Sequence, residues 1–307
     1  MVSGDGGIMK PINNQKSIYS ALIANILIAI TKFIAGFFTN SSSMISEGIH
    51  STVDTSNQLL ILYGIKQSKK KADRHHPFGY GKELYFWSFI VSILIFSLGG
   101  ALSIYQGVTH IIHPLHMGNP LWNYVVLLLS LIFEGSSLII AAKEFNKTRG
   151  EMSWWNAIVN SKDPTSFLVV FEDGAAVLGL LIVMLLMGLS HILNIPELDG
   201  LASVLVGLLL VGASFILARE SRSLLMGEGI AIETQKKISQ LVLKDNAALA
   251  VKNMLSTYQS PNEVILMLVV DFEDNLDTEE ITAAIDRITA SIKSTFPLVR
   301  FVFIQPS

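Results

Sequence analysis

Six apolar stretches separated by short polar segments fill the first 225 positions of the chain. They run roughly over 17–38, 43–65, 84–112, 122–142, 164–189 and 201–217. About 20 consecutive apolar residues are enough for a helix to cross a bilayer. Half of the 307 residues are hydrophobic and only 15% are charged, which is typical of membrane proteins and not of soluble domains. The pattern therefore predicts a six-helix membrane bundle over 16–224, with a turn at 196–200 before the last span.

Positive charge is distributed unevenly over the connections between these spans. The connections after spans two, four and six contain Lys and Arg, whereas those after spans one, three and five contain neither. Because cytosolic loops are enriched in Lys and Arg, both termini are predicted to be cytosolic. Residues 1–15 are polar and Gly-rich, which predicts a disordered cytosolic tail. No organelle-like presequence is evident, so a bacterial inner membrane is the expected location.

The pattern changes after about residue 225. Apolar periodicity predicts a helix over 230–243 and strands over 248–257, 264–270 and 299–304. Asp277 followed by Glu280 resembles a capping box that opens a helix with isoleucines on one face. Residues 225–307 are therefore predicted to form a small cytosolic α+β domain with the order αββαβ.

Span two contains an unusual group of polar residues for a membrane helix. Glu47, His50 and Asp54 are separated by three and four positions, so they share one helical face. Ionisable side chains are costly inside a bilayer and mark functional sites there. One imidazole and two carboxylates supply N and O ligands for a divalent cation, and the absence of cysteine excludes thiolate ligands.

Other charged residues lie inside the predicted spans. Lys32 in span one is expected to reach an interface or to pair with an acid on a neighbouring helix, and it is a further candidate for a proton relay or for a residue that supports the metal ligands. Glu134 in span four is interpreted as a residue that supports the metal ligands, as a proton relay or as the partner of Lys32. Glu172 and Asp173 in span five are further candidate metal ligands.

These features together resemble the cation diffusion facilitator family of zinc and manganese transporters. The more specific similarities are the pair His50 and Asp54, four positions apart, and the loop 76–83 with the sequence HPFGYGKE. The segments FEG at 133–135, FED at 171–173 and ESRSLL at 220–225 look like the zinc transporter 9 branch. The resemblance implies a homodimer that exchanges metal for protons, with two ligands from span two and two from span five.

Span five departs from the family pattern. By alignment through residues 174–180 of the same span, the two usual ligand positions hold Ser166 and Val170, neither of which is a convincing ligand. Asp173 lies on the same helical face as these two, whereas Glu172 is rotated by roughly 200° from Val170. Asp173 is therefore the better candidate.

Two arrangements of the site follow from this departure. In the first, the site is displaced outward by about one turn, roughly 5 Å, and uses Glu47, His50 and Asp173, with Asp54 at its cytosolic edge. In the second, His50 and Asp54 bind the metal with Asp173, and Glu47 pairs with Lys32 or Glu172. The sequence leaves both arrangements open.

Mixed imidazole and carboxylate ligands favour Zn²⁺ as the transported ion, with Mn²⁺, Co²⁺ or Fe²⁺ as alternatives. We expect export from the cytosol by alternating access in exchange for H⁺, with the metal as cargo and no cofactor. A single E-x-x-H element without H-E-x-x-H does not support an enzyme. A membrane metal sensor or scaffold is the alternative of another class, and no nucleic-acid partner is expected.

Two peripheral features complete these expectations. The chain has no histidine after His191, so we expect the C-terminal domain to serve dimerisation without a zinc site of its own. His75 and His76 with Asp73 are interpreted either as a metal-capturing group or, preferably, as part of a solvated basic hairpin.

Overall fold

The computed structural model describes residues 15–114, 121–149, 153, 154, 157 and 164–307. The predicted tail over 1–15 therefore lies almost entirely outside the described residues. The helices of the N-terminal part are α1 (Gln15–Thr39), α2 (Ser42–Ser68), α3 (Glu83–Leu94), α4 (Leu102–Ile112), α5 (Leu121–Arg149), α6 (Pro164–Leu193) and α7 (Glu197–Met226). A π-helical segment, Ile95–Ala101, joins α3 to α4 without a break.

The described residues fall into two compact units. The first contains the residues up to Gln58, Leu94–Ser137 and Asp173–Val211. The second contains Leu59–Ile93, Leu138–Glu172 and Gly212–Ser307. Among the candidate ligands in the predicted spans, Glu47, His50, Asp54 and Asp173 belong to the first unit and Glu172 to the second.

Four helices are long and apolar enough to cross a membrane. They are Glu83–Ile112, Leu121–Lys147, Leu168–Leu193 and Glu197–Met226. The described apolar part of α1, Asn25–Thr39, is shorter. The helix α2 is not among the four because it carries a buried polar face, which includes Ser46, Glu47, His50 and Asn57. A mostly helical membrane protein is thus confirmed, while the count of six spans stays a prediction.

The predicted turn at 196–200 is wrong, because α7 already begins at Glu197. The chain reverses earlier, at Asn194, whose φ of 52° lies in the left-handed region that asparagine tolerates. Pro196 stands directly before the helix, where a fixed φ and a missing N–H suit a helix start. Glu197 and Asp199 occupy the first turn, where acidic side chains interact favourably with the helix dipole.

The C-terminal residues form the predicted small α+β fold. Its elements are α8 (Ile232–Val242), β1 (Ala248–Ser260), β2 (Glu263–Phe272), α9 (Thr278–Thr295) and β3 (Val299–Pro306). The central strand β2 pairs antiparallel with β1 and parallel with β3. Buried apolar residues of both helices and of β2 form its core, which explains the continuous apolar run predicted for that strand.

The capping box that opens α9 is confirmed. The Asp277 side chain accepts a hydrogen bond from the Glu280 N–H at 2.8 Å, and the Glu280 side chain accepts one from the Asp277 N–H at 3.0 Å. The isoleucines Ile288 and Ile292 are buried against the sheet. Local sequence signals therefore place this helix correctly.

The basic hairpin after α2 contacts the α+β fold within the second unit. Its Phe78 ring meets the Phe301 ring edge to face, with a centroid distance of 5.4 Å. A Cβ atom on Gly81 would lie 2.4 Å from the carbonyl oxygen of Gln259, so this close approach to β1 requires glycine. Asp73 accepts hydrogen bonds from the backbone N–H groups of His75 and His76, and these bonds shape the turn.

Candidate metal centre

The centre is built on the buried polar face of α2. His50 is 2% exposed, and its Nδ1 atom lies 3.4 Å from Oδ1 of Asp54, one helical turn further along. Neither ring nitrogen of His50 has a hydrogen-bond partner among the described residues. Buried polar atoms are nearly always satisfied in proteins, so an imidazole of this kind needs an explanation. A metal ligand is one such explanation, because coordination uses the lone pair of a neutral imidazole nitrogen.

Helix α5 brings a third candidate ligand to this pair. His50, Asp54 and Glu134 each offer one ligand atom, and these three atoms all lie within 4.8 Å of one another. It is the one such group of three or more His, Asp or Glu residues in the part of the chain that the structure describes. The arrangement provides one nitrogen and two oxygen donors in the first unit.

Lys32 of α1 lies beside these residues and contacts two of the acids. Its Nζ atom is 3.0 Å from Glu47 Oε2 and 3.1 Å from Glu134 Oε1, and it donates to Ser51 Oγ at 2.9 Å. Both Lys32 and Glu47 are fully buried. The structure thus has the pairing of Glu47 with Lys32 that belongs to the second of the two arrangements predicted from the sequence.

Close packing of α1 on α2 makes this pairing possible. A Cβ atom on Gly48 would lie 2.9 Å from the Phe33 ring, so glycine at this position allows the two helices to approach. Glu47 Oε1, the oxygen that does not contact Lys32, has no hydrogen-bond partner among the described residues.

The acids of α6 are placed differently from each other. Asp173 accepts a hydrogen bond from Ser137 Oγ at 2.7 Å in the first unit, and it is not part of the group formed by His50, Asp54 and Glu134. Glu172 is 9% exposed and belongs to the second unit. Whether either acid binds metal therefore stays a prediction.

A second buried polar cluster was missed by the sequence analysis, which interpreted Asp199 as part of a turn. Asp199 is fully buried and accepts hydrogen bonds from Ser41 Oγ at 2.8 Å, from the Ser43 N–H at 3.1 Å and from the Ser43 hydroxyl. His110 Nε2 lies 3.9 Å from its Oδ2 atom. Asp199 therefore holds the N-terminus of α2, and an acid three residues after a proline was the available signal.

Comparison with known proteins gives the family. A family model described as the cation efflux transmembrane domain matches residues 18–226, which is more than half of the chain. The chain belongs to the cation efflux family. The resemblance inferred from the sequence is thereby confirmed.

Several curated proteins are similar to this member of the cation efflux family. The proton-coupled zinc antiporter SLC30A9, mitochondrial, of Homo sapiens is 35% identical over 265 residues, which are 86% of this chain and 47% of that protein. Metal tolerance protein C4 of Arabidopsis thaliana is 29% identical over 266 residues, 86% of this chain and 58% of that protein. The cation-efflux pump FieF of Cronobacter sakazakii is 23% identical over 285 residues, 92% of this chain and 89% of that protein.

The chain spans about half the length of the human relative that it matches. The names of the relatives describe a zinc antiporter, a metal tolerance protein and a cation-efflux pump, and none of them describes an enzyme. The similarity to the human protein supports a place near the zinc transporter 9 branch.

Proposed function

We propose that this protein transports a divalent cation, Zn²⁺ before Mn²⁺, Co²⁺ or Fe²⁺, out of the cytosol in exchange for H⁺. The observation that carries the proposal is the group formed by His50, Asp54 and Glu134, whose ligand atoms lie within 4.8 Å of one another. His50 and Glu134 lie in the interiors of α2 and α5, where a charged residue marks an ion path.

The ligand chemistry of this group suits a transported zinc ion. Zn²⁺ is bound by imidazole nitrogen and carboxylate oxygen, and sites that keep an open position have three protein ligands. A fourth position left to water, or to Asp173 after it leaves Ser137, would let the ion enter and leave. A closed structural site with four fixed ligands would not favour release.

The same three residues explain exchange for protons. Metal binding requires a neutral imidazole at His50 and ionised carboxylates at Asp54 and Glu134, so protons compete with the metal for the same atoms. If metal is supplied on one side of the membrane and protons on the other, the two gradients can then drive the two ions in opposite directions. The name of the human relative, a proton-coupled zinc antiporter, supports this coupling.

The remaining parts of the proposal concern the assembly. We propose six membrane helices, both termini in the cytosol, a homodimer joined through the C-terminal α+β fold and a bacterial inner membrane. Because the chain has no cysteine, a single cysteine in place of the exposed Asp274 would report the side of the membrane on which this fold lies. In whole cells, we expect a membrane-impermeant thiol reagent to label this cysteine only after the membrane has been opened, because the C-terminal fold is proposed to face the cytosol.

Zinc flux into proteoliposomes tests the function. Wild-type protein should transport Zn²⁺, and this transport should stop when the pH gradient is collapsed. The variants His50→Ala, Asp54→Asn and Glu134→Gln should each bind Zn²⁺ at least about tenfold more weakly than wild type, which corresponds to about 1.4 kcal/mol in binding free energy. Asp274→Asn, which removes an exposed carboxylate outside the membrane segments, is the matched control and should behave as wild type.

Two results would overturn parts of the proposal. Zinc binding without flux would indicate the alternative function of a membrane metal sensor. Flux that persists unchanged without a pH gradient would remove the exchange for protons and leave the transport of the cation in place.

A further inference from the structure

We propose that Lys32 is a tethered competitor of the transported cation: its ammonium group holds the ligand Glu134 and weakens metal binding so that the ion can be released. This inference rests on the proposed function, because it concerns the same group of His50, Asp54 and Glu134. It assigns a role in metal affinity to a residue that is not itself a ligand.

The contacts of Lys32 link the metal ligands to a second acid. Its Nζ atom lies 3.1 Å from Glu134 Oε1 on one side and 3.0 Å from Glu47 Oε2 on the other, with Ser51 Oγ at 2.9 Å as a third partner. One carboxylate therefore belongs both to the ion pair and to the metal group. Lys32 is fully buried, so water does not screen its charge from that group.

The charges of the first unit favour this interpretation. The site region of this unit contains four acids, Glu47, Asp54, Glu134 and Asp173, and one fully buried lysine, Lys32, which contacts the first and third of them. A divalent cation that binds Glu134 must approach a positive charge already bonded to the same carboxylate. Removing that positive charge should therefore strengthen the attraction between Glu134 and the metal.

Glu47 has the complementary role in this arrangement. When the metal takes Glu134, the Lys32 ammonium keeps Glu47 and Ser51 as partners, so it remains paired inside the protein. Without the carboxylate of Glu47, Glu134 would be the one acid left in contact with Lys32 among the described residues, and Lys32 would compete more strongly with the metal. The two residues of the pair thus have opposite effects on metal affinity.

Zinc titration of two full-length variants tests these opposite signs. Lys32→Met/Glu47→Gln removes the charge of both partners and keeps their volumes, a change that buried ion pairs often tolerate. We expect this double variant to bind Zn²⁺ about tenfold more tightly than wild type and to release it more slowly in flux assays. Glu47→Gln alone should bind Zn²⁺ about tenfold more weakly.

The displaced site predicted as the first arrangement gives a different result. If Glu47 were itself a metal ligand, the double variant would lose affinity as the single variant does. Equal or weaker zinc binding by the folded double variant would therefore overturn the role of Lys32. Absence of zinc binding in wild type would instead overturn the proposed function, so the two failures are distinguishable.

A third variant keeps the proposal testable if the double variant does not fold. Ser51→Ala removes one uncharged partner of Lys32 and leaves every acid in place. The ion pair between Lys32 and Glu134 should then become stronger. Zinc affinity should therefore fall by a few-fold, while the melting temperature changes little. Unchanged zinc affinity in this folded variant would count against the role of Lys32.

Discussion

Replacing Asp199 by alanine should loosen the start of α2, the helix that carries His50 and Asp54. In the wild type, Asp199 accepts hydrogen bonds from Ser41 Oγ at 2.8 Å, from the Ser43 N–H at 3.1 Å and from the Ser43 hydroxyl. Its side chain is fully buried, so water cannot replace these bonds in the variant. Asp199→Ala is therefore expected to leave three donors without their acceptor.

The size of the effect follows from these bonds. A hydrogen bond to a charged group contributes about 1.5–3 kcal/mol, and an unsatisfied buried donor costs about 1–3 kcal/mol. The two serine hydroxyls can bond to each other, since their Oγ atoms are 3.1 Å apart, whereas the Ser43 N–H has no such substitute. Removing the buried charge offsets part of the loss. We expect a destabilisation of about 3 kcal/mol, which for a chain of 307 residues lowers the melting temperature by about 5 °C.

A double-mutant cycle assigns this energy to the proposed contacts. Melting temperatures of detergent-solubilised protein would be measured for Asp199→Ala, for Ser41→Ala and for the combination. Because the two residues contact each other, their effects should fail to add by about 1–2 kcal/mol. Ser56→Ala, at an exposed position of the same helix, is the matched control and should be additive with Asp199→Ala.

Additive effects of Asp199→Ala and Ser41→Ala, with a coupling below about 0.5 kcal/mol, would refute the reasoning. The carboxylate would then not hold the N-terminus of α2, and the distance between its oxygens and Ser41 would have no energetic consequence. A large coupling with the Ser56→Ala control would be equally damaging, because it would indicate a general loss of structure.

Three further predictions concern the α+β fold and the hairpin that contacts it. Asp277→Ala should lower the free energy of unfolding by about 0.5–2 kcal/mol and speed hydrogen exchange in the first turn of α9, because the N-cap hydrogen bond is lost. Unchanged hydrogen exchange would contradict the capping role. Gly81→Ala should cost about 1–3 kcal/mol in thermal unfolding, since the new Cβ would lie 2.4 Å from the Gln259 carbonyl oxygen; an unchanged melting temperature would show that the loop yields freely. Two hydrogen bonds from Arg287 to Asp245 lower the pKa of that carboxyl, so their stabilisation is present above the unfolded pKa of about 3.9 and is lost as the pH falls below it. In the Asp245→Asn variant, the free energy of unfolding should therefore fall less steeply as the pH is lowered than it does in wild type. An unchanged pH dependence would contradict the pairing of Asp245 with Arg287.

Much of the fold could be predicted from local patterns. The capping box at Asp277 and Glu280 depends on residues three positions apart, and the buried run of β2 depends on consecutive residues, so both are visible in the sequence. The apolar length of four spans was visible for the same reason. The start of α7 was mistaken because the proline and glycine of 196–200 indicate a turn as readily as a helix N-terminus.

The sequence by itself determined that His50 and Asp54 share a face of one helix, because a spacing of four residues fixes their relative direction. It also determined the family and the αββαβ order of the C-terminal fold. Which further acid lies beside His50 and Asp54 was decided by the tertiary structure alone, since Glu134 is 84 positions away from His50 and only the packing of α5 brings the two together. The same holds for Glu47, which the sequence offered as a ligand: the approach of α1 at Gly48 brings Lys32 to it and makes it half of an ion pair.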